Sequence, residues 1–423
     1  MIEKKTGTRQ ACFNLLKRMQ KKKAYSNILM SNLKEKYGFN QVERRFFKSL
    51  VLGVLERQLL LDYVLSFFIS KKPDMDTQIL LRMGLQQQLF MEVPPSAACN
   101  ETVKVAKTEL DKSRAGFINA VLRNIGRSTE KVNAAIEGAP PNIKHSISDS
   151  IYELLYEQYR EKTDRILSSF LVRKQLFLRV NTLRTATAEL VQGLERHGVE
   201  AEFLSEATVS VGKGSSYVLE RLSRGEYYVQ GLGSQKAVAM LEAQEGQTVI
   251  DVCACPGGKS FGAAIDMRNK GRVISLDIHE SKLGLVERYA ELLGIKIITV
   301  RHFDSRQVIE ELTGIADRVI CDVPCSGLGV IAAKPEIRYK SAERFAELID
   351  TQKRILSSSS KYLNKGGVLI YSTCTINRNE NEAVVADFIE KNSDFCLEYE
   401  RTFFPYEEVG EGFYIAKIIR NQA

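Results

Sequence analysis

Histidine is scarce in this chain, with 4 among 423 residues, and none of its eight cysteines forms a CxxC pair. Cys253 and Cys255 stand in a CxC spacing and Cys321 and Cys325 in a CxxxC spacing, so no paired zinc knuckle is present and no metal site is expected. Long apolar runs are missing as well. The longest, Leu59–Ile69, is interrupted by Asp62 and is too short to span a bilayer. No apolar segment follows the lysines of MIEKKTGTRQ, so no secretory signal is read. The expectation is a cytoplasmic protein, not associated with membrane, whose cysteines stay reduced. With 44% hydrophobic and 26% charged residues, a disordered or collagen-like chain is excluded. The length allows two or three domains, each with its own core.

Charge is unevenly placed. The first 50 residues hold 13 basic and 3 acidic side chains, whereas the remaining 373 hold 47 and 49. The positive excess of the whole chain therefore sits at one end, as a polyanion-facing module on a near-neutral body would have it. Lys17, Arg18, Lys21, Lys22, Lys23, Arg44 and Arg45 are the candidates for phosphate contacts.

Periodicity divides the chain. Residues 1–127 carry apolar positions at three- and four-residue spacing and no alternation, which predicts an all-α domain. The polar stretch 128–150, with Pro140-Pro141, reads as a linker. Residues 151–231 read as a small α+β module: a helical start at 151–171, then strand-like pieces at 176–181, 201–203, 208–211 and 226–230 around a helix near 187–197. From 232 to 423, apolar strands at 248–254, 272–278, 296–301, 318–323 and 367–374 alternate with helical stretches at 258–268, 280–293, 305–312 and 341–363. That pattern predicts an α/β, Rossmann-like domain with a parallel sheet covered on both faces. Segments 396–402 and 412–419 are candidates for an added antiparallel hairpin.

The chemistry gathers where such strands end. Asp251-Val-Cys-Ala-Cys-Pro-Gly-Gly-Lys-Ser260 passes from the first strand into a helix, the place where doubly wound sheets bind their ligands. It is neither a phosphate-cradling P-loop, since Cys253 stands five before Gly258, nor a GxGxxG fingerprint. Asp277, Asp304 and Asp322 fall at the ends of the next three strands. An acidic residue after the second strand can accept from ribose hydroxyls, and an acidic rim suits a sulfonium cation. With no phosphate loop and no arginine cluster, S-adenosylmethionine fits better than ATP.

Cys325, in DVPCSG, follows strand four and Cys374, in YSTC, follows strand five. A lone cysteine is most often a small buried hydrophobe. Two at the ends of neighbouring strands, each in polar surroundings, suit covalent chemistry. A thiolate beside a methyl donor has a natural target in C6 of a pyrimidine, because addition there makes C5 nucleophilic enough to take the methyl group.

The motifs DVCACPGGKS, DVPCSGLG, YSTC and EGFYIA resemble the Nop/Sun family of RNA cytosine-C5 methyltransferases, and within it the Sun-type enzymes acting on bacterial 16S ribosomal RNA. The likeness extends over essentially the whole chain. GFINAVLRN (116–124) resembles NusB-like RNA-binding modules, and LFLRVNTLRT and YYVQGLGSQKAVAML resemble the family's connecting segment. The resemblance implies Cys374 as nucleophile and Cys325 as the cysteine that resolves the adduct. It implies S-adenosylmethionine contacts from Ala254, Cys255, Pro256, Gly257, Gly258, Lys259, Ser260, Asp277, Asp304 and Asp322. It further implies a partner in 16S rRNA or the small-subunit precursor, bound by a monomer. Three places depart from the family pattern: Cys255 where alanine is usual, Gly231-Leu-Gly before Ser234, and Lys-Gly-Gly before strand five. Two alternatives remain open from the residues, a DNA cytosine-C5 methyltransferase attacking with Cys325, and a non-catalytic RNA-binding or antitermination factor built on the N-terminal helices.

Overall fold

The computed structural model describes residues 7–22, 37–172 and 175–422. Two compact units divide the chain: the residues up to Leu171 together with Ala333–Ala342, and Val172–Ala332 with Glu343–Ala423. No helix among the described residues is long and apolar enough to cross a membrane.

The first unit is helical, with α1 (Thr8–Lys22), α2 (Gln41–Glu56), α3 (Gln58–Ser66), α4 (Met75–Phe90), α5 (Pro95–Glu109) and α6 (Lys112–Arg127). Helix starts follow local chemistry. Asn40 and Glu43 close a reciprocal capping box on α2, and Asp74 and Asp111 cap α4 and α6. Helix α4 is buried on nearly every side, through Leu80, Leu81, Met83 and Leu85, so it forms the centre of the core. Arg82 on that helix is buried and reaches Asp62 through two nitrogens at 2.7 and 2.5 Å. Of the basic candidates, Lys17 is already paired, with Asp76 at 2.6 Å, so it is not free for phosphate. Lys23 lies outside the described residues.

Residues 128–150, expected as an open linker, instead carry α7 (Thr129–Glu137) and α8 (Pro141–Lys144). Val132 and Ala135 enter the helical core, and Pro141 starts a helix rather than interrupting one, since its missing N–H falls in the first turn. The helical start at 151–171 also belongs to this unit, as α9 (Asp149–Tyr159) and α10 (Thr163–Ser169). The returning segment 333–342 completes the unit. Arg338 is fully buried there and donates to His145 O at 2.8 Å and Phe170 O at 3.0 Å. Tyr339 bonds to Leu55 O at 2.5 Å and accepts from Gln58 N at 3.1 Å.

The second unit opens with a four-stranded antiparallel sheet of β1 (Leu176–Val180), β2 (Ala201–Ser205), β3 (Thr208–Val211) and β4 (Tyr227–Val229), in the order β2-β3-β1-β4. Helices α11 (Thr187–Glu195) and α12 (Ser215–Glu220) accompany it. After α13 (Leu232–Leu241) comes the larger sheet: β5 (Thr248–Asp251), β6 (Arg272–Asp277), β7 (Ile298–His302), β8 (Ala316–Asp322), β9 (Leu363–Thr373), β10 (Phe395–Phe403) and β11 (Phe413–Arg420). Its order is β10-β11-β9-β8-β5-β6-β7, parallel from β7 through β9 and antiparallel in the last two strands. The expected sheet and hairpin are both present. Helices α14 (Gly258–Asp266), α15 (Glu280–Leu293), α16 (Phe345–Ser360) and α17 (Glu382–Lys391) connect the strands, and apolar clusters fill both faces. The expected helix at 305–312 is only a short turn at Glu310–Leu312, and at its start the backbone N–H of Arg306 donates to the Asp304 side chain at 3.1 Å instead. The chain runs outward from β5 to β7 and then crosses back to β8, which opens a crevice at the carboxyl ends of β5 and β8.

Candidate active site

The loop leaving β5 fills one wall of that crevice. Gly257 has φ +108°, and a Cβ there would lie 2.3 Å from the Phe261 ring, so the turn into α14 requires glycine. Asp277, at the end of β6, supports the loop by accepting from Cys255 N at 2.9 Å and from His279 N at 2.8 Å. Each carboxylate oxygen retains capacity for a further donor. Asp251 is buried, and its carboxyl is pushed up to about 7 by that burial against the opposing pull of Ser260 and Lys259. Ser260 donates to one of its oxygens at 2.6 Å, whereas the other, Oδ1, has no partner. Tyr228 of the small sheet donates to Gly258 O at 2.9 Å, and Oε1 of the neighbouring buried Gln230 is likewise unpartnered. A glycine turn, a strand-end carboxylate and two orphaned buried oxygens together fit a polar adenosine-type cofactor.

The other wall comes from β8 and β9, which pair in parallel with Asp322 opposite Ser372. Just beyond them, the sulfurs of Cys325 and Cys374 are 3.3 Å apart. The Cys325 thiol is held well above its usual range, first by its contact with Cys374 and then by burial, so it keeps its proton. Lys259, the third residue of the glycine turn, is buried and donates to Asp322 at 2.6 Å and to Ser234 at 3.1 Å. Burial works against its charge, but Asp322, Asp251 and Cys374 outweigh it and raise the ammonium above its ordinary value. The second oxygen of Asp322 accepts from Ser372 at 2.7 Å. The arrangement is thus a buried cation within electrostatic reach of Cys374, at the carboxyl ends of β5 and β8.

Asp304 is engaged differently from the other strand-end carboxylates. Asp304 lies past the end of β7, and its carboxylate is closed on Arg306 at 2.6 Å, which holds it below the usual carboxylate range. Among the described residues no cluster of three or more histidine, cysteine or acidic side chains is placed to hold a metal.

Sequence reasoning overlooked the group that fixes the thiol loops. Glu380 is fully buried and accepts from Ser326 N at 2.8 Å, Gln352 Nε2 at 3.0 Å and Asn377 Nδ2 at 3.0 Å. Ser326 also meets Thr375 at 2.8 Å, and Asn381 ties Thr373 and Thr375 together at 2.6 and 3.0 Å. The polar run Asn377–Glu382 directly after Cys374 was the available signal, since so many amides and carboxylates are rarely buried without a purpose.

Comparison with known proteins gives two family matches: 16S rRNA methyltransferase RsmB/F over residues 238–419, and the NusB family over residues 6–127. The probable ribosomal RNA small subunit methyltransferase B of Bacillus subtilis (strain 168) is 35% identical over 404 residues, covering 93% of this chain and 90% of that protein. The ribosomal RNA small subunit methyltransferase B of Pectobacterium carotovorum is 28% identical over 399 residues, covering 90% and 92%. Among solved structures, PH0851 superposes with a TM-score of 0.81 at 21% identity over 99% of both chains. NSun6 from Pyrococcus horikoshii superposes at 0.58 and 21% identity, covering 65% of this chain and 98% of that one.

Proposed function

The chain belongs to the ribosomal RNA small subunit methyltransferase B family and has the fold of S-adenosylmethionine-dependent methyltransferases, and from that premise we propose that it methylates C5 of a cytosine in 16S ribosomal RNA through a covalent cysteine adduct. The observation that carries this reading is the 3.3 Å approach of Cys325 and Cys374 beside the buried Lys259 and its half-buried partner Asp322.

In this reading Cys374 is the nucleophile. The Lys259 charge next to it favours the thiolate, while Cys325 retains its proton. Addition of the Cys374 sulfur forms a C–S bond at C6 and leaves C5 electron-rich. S-adenosylmethionine, held by residues 254–260 with Asp277, Asp304 and Asp322, supplies an electrophilic methyl group for that carbon. Loss of the C5 proton then breaks the C6–S bond and frees Cys374. Cys325, in contact with Cys374, acts in this release. The helical unit binds the RNA, and the enzyme works as a cytoplasmic monomer on 16S rRNA or its precursor subunit.

A denaturing gel with labelled 16S rRNA and S-adenosylmethionine tests the assignment. Cys325→Ala should accumulate a denaturation-resistant protein–RNA complex, and Cys374→Ala should give neither complex nor methylated product. Trapping in the Cys374 variant and not in the Cys325 variant would move the nucleophile to Cys325, the arrangement expected of the DNA-type enzymes. Bisulfite sequencing of 16S rRNA from a strain lacking the protein should show one cytosine losing its mark.

A further inference from the structure

The small sheet carries a cavity of its own, and neither thiol lines it. It encloses about 180 Å³ and is lined from α11, from α12 and from the turn leading into β4. Glu189, His197, Tyr217, Arg221, Arg224 and Glu226 supply its chemistry. The aromatic part is prebuilt. His197 stacks on Tyr217 with centroids 4.8 Å apart, and the Arg221 guanidinium lies 4.2 Å from the Tyr217 ring centre. A bond between His197 Nδ1 and Gly193 O at 2.8 Å fixes the imidazole. The Tyr217 hydroxyl is buried and has no hydrogen-bond partner, an orphaned group that a ligand would satisfy.

The cavity is also rigidly mounted. Asn181 donates to both Gly225 O and Leu293 O at 2.8 Å, and Arg184 donates to Leu293 O at 3.2 Å and Arg224 O at 3.1 Å. Gly225, at φ +67°, sits so close to the end of α15 that a Cβ would lie 2.3 Å from Leu292 O. The turn lining the cavity is therefore clamped to a helix of the large sheet, within the same compact unit as the thiols.

Size and charge narrow the occupant. At about 180 Å³ the cavity has room for a heterocyclic ring. Two carboxylates facing two guanidiniums disfavour a phosphate and suit a neutral base that presents donors and acceptors together. Guanine does so: its amine donates, and its O6 and N7 accept, most often from arginine. Uracil has no exocyclic amine, adenine has no O6, and cytosine, a single ring, has no N7 beside an O6. Unpaired bases in RNA are read on these edges and on aromatic or guanidinium planes. We propose that this cavity takes an unpaired guanine of the ribosomal RNA substrate, distinct from the reacting cytosine, and so sets the register of the target strand. The assignment rests on the RNA methyltransferase reading above.

Steady-state methyl transfer to 16S rRNA by the full chain tests it, using Glu189→Gln and Arg224→Ala, whose side chains are exposed, and Tyr217→Phe, which removes only the hydroxyl. KM for the rRNA should rise about tenfold in the first two variants, the loss expected for one base-edge contact. Their dissociation constants for S-adenosylmethionine should stay put. In parallel, 16S rRNA carrying 6-thioguanosine should photo-cross-link to a peptide within residues 185–227, and the yield should fall in all three variants. An unmoved KM together with no cross-link in that segment would overturn the proposal. A cross-link abolished by GMP, with KM unmoved, would assign the cavity to a free guanine nucleotide and overturn the RNA assignment. Should the unaltered chain cross-link there yet form no 5-methylcytosine, the catalytic reading falls while the guanine site stands.

Discussion

Replacing Glu380 with glutamine keeps the shape of the side chain and removes its charge. Three donors converge on that carboxylate: Ser326 N from the Cys325 loop, Asn377 from the Cys374 loop, and Gln352 from α16. Hydrogen bonds to a charged acceptor contribute ~1.5–3 kcal/mol and neutral ones ~0.5–1.5, so the exchange loses about 1 kcal/mol at each of the three. The new amide also turns an N–H toward at least one existing donor. A loss of roughly 2–4 kcal/mol follows, visible as a melting midpoint several degrees lower for a domain of this size. The effect on rate should be larger than the effect on stability suggests. Glu380 does not touch the reacting atoms; it positions the two loops that bear the thiols, and misplacement by about 1 Å can cost ~100-fold. Single-turnover transfer measured well below the melting range should therefore slow by about that factor, with S-adenosylmethionine affinity unchanged because the glycine turn does not depend on this residue. Glu380→Ala, which removes the shared acceptor of all three bonds, should be worse on both counts. A glutamine variant that melts and turns over like the unaltered chain would refute the reasoning.

Two further expectations concern the cofactor wall. Asp277→Ala should weaken S-adenosylmethionine binding by at least about tenfold, since each charge-assisted bond it can make is worth ~1.5–3 kcal/mol, and calorimetric titration would show an unchanged constant if Asp277 lay outside the site. Asp251 should make stability fall with rising pH: its folded value of about 7 lies above the ordinary carboxyl value of ~3.9, so its contribution is full below about pH 4 and is lost as pH rises through 7. Melting curves between about pH 5 and 8 should show that decline, and the non-ionising Asp251→Asn variant should flatten it; parallel pH dependences for the two proteins would exclude Asp251 as the source.

The large sheet was legible because its strands are apolar runs between helical periods: β5 and β6 lie within segments read from that pattern, and β8 and β9 overlap theirs but begin two and four residues earlier. The thiol pair was legible for a related reason. Once Cys325 and Cys374 are placed after adjacent parallel strands, the strand pairing sets the two loops that bear them side by side. What stayed hidden was held by side chains rather than by period. Glu380 sits in a polar run that reads as solvated loop, and only its three partners reveal that it is buried. Asp304 looked equivalent to Asp277 by position, yet Arg306, two residues on, claims its carboxylate. Residues 128–150 misled because Pro140-Pro141 carries the same local signal whether it opens a helix or breaks one.

Arg338 and Tyr339 have a bearing on how the protein is made. The helical unit is completed by a segment that follows its main body by about 160 residues. At ~5–20 residues per second, a ribosome delivers that segment roughly 8–32 seconds after Leu171. Until then, the carbonyls of Leu55, His145 and Phe170 lack the donors that satisfy them in the finished protein. The first-born unit is consequently among the last to close, and a fragment cut at Leu171 would be a vessel without its stopper. Any dissection of the protein into expressible parts has to carry residues 333–342 along with the helices they seal.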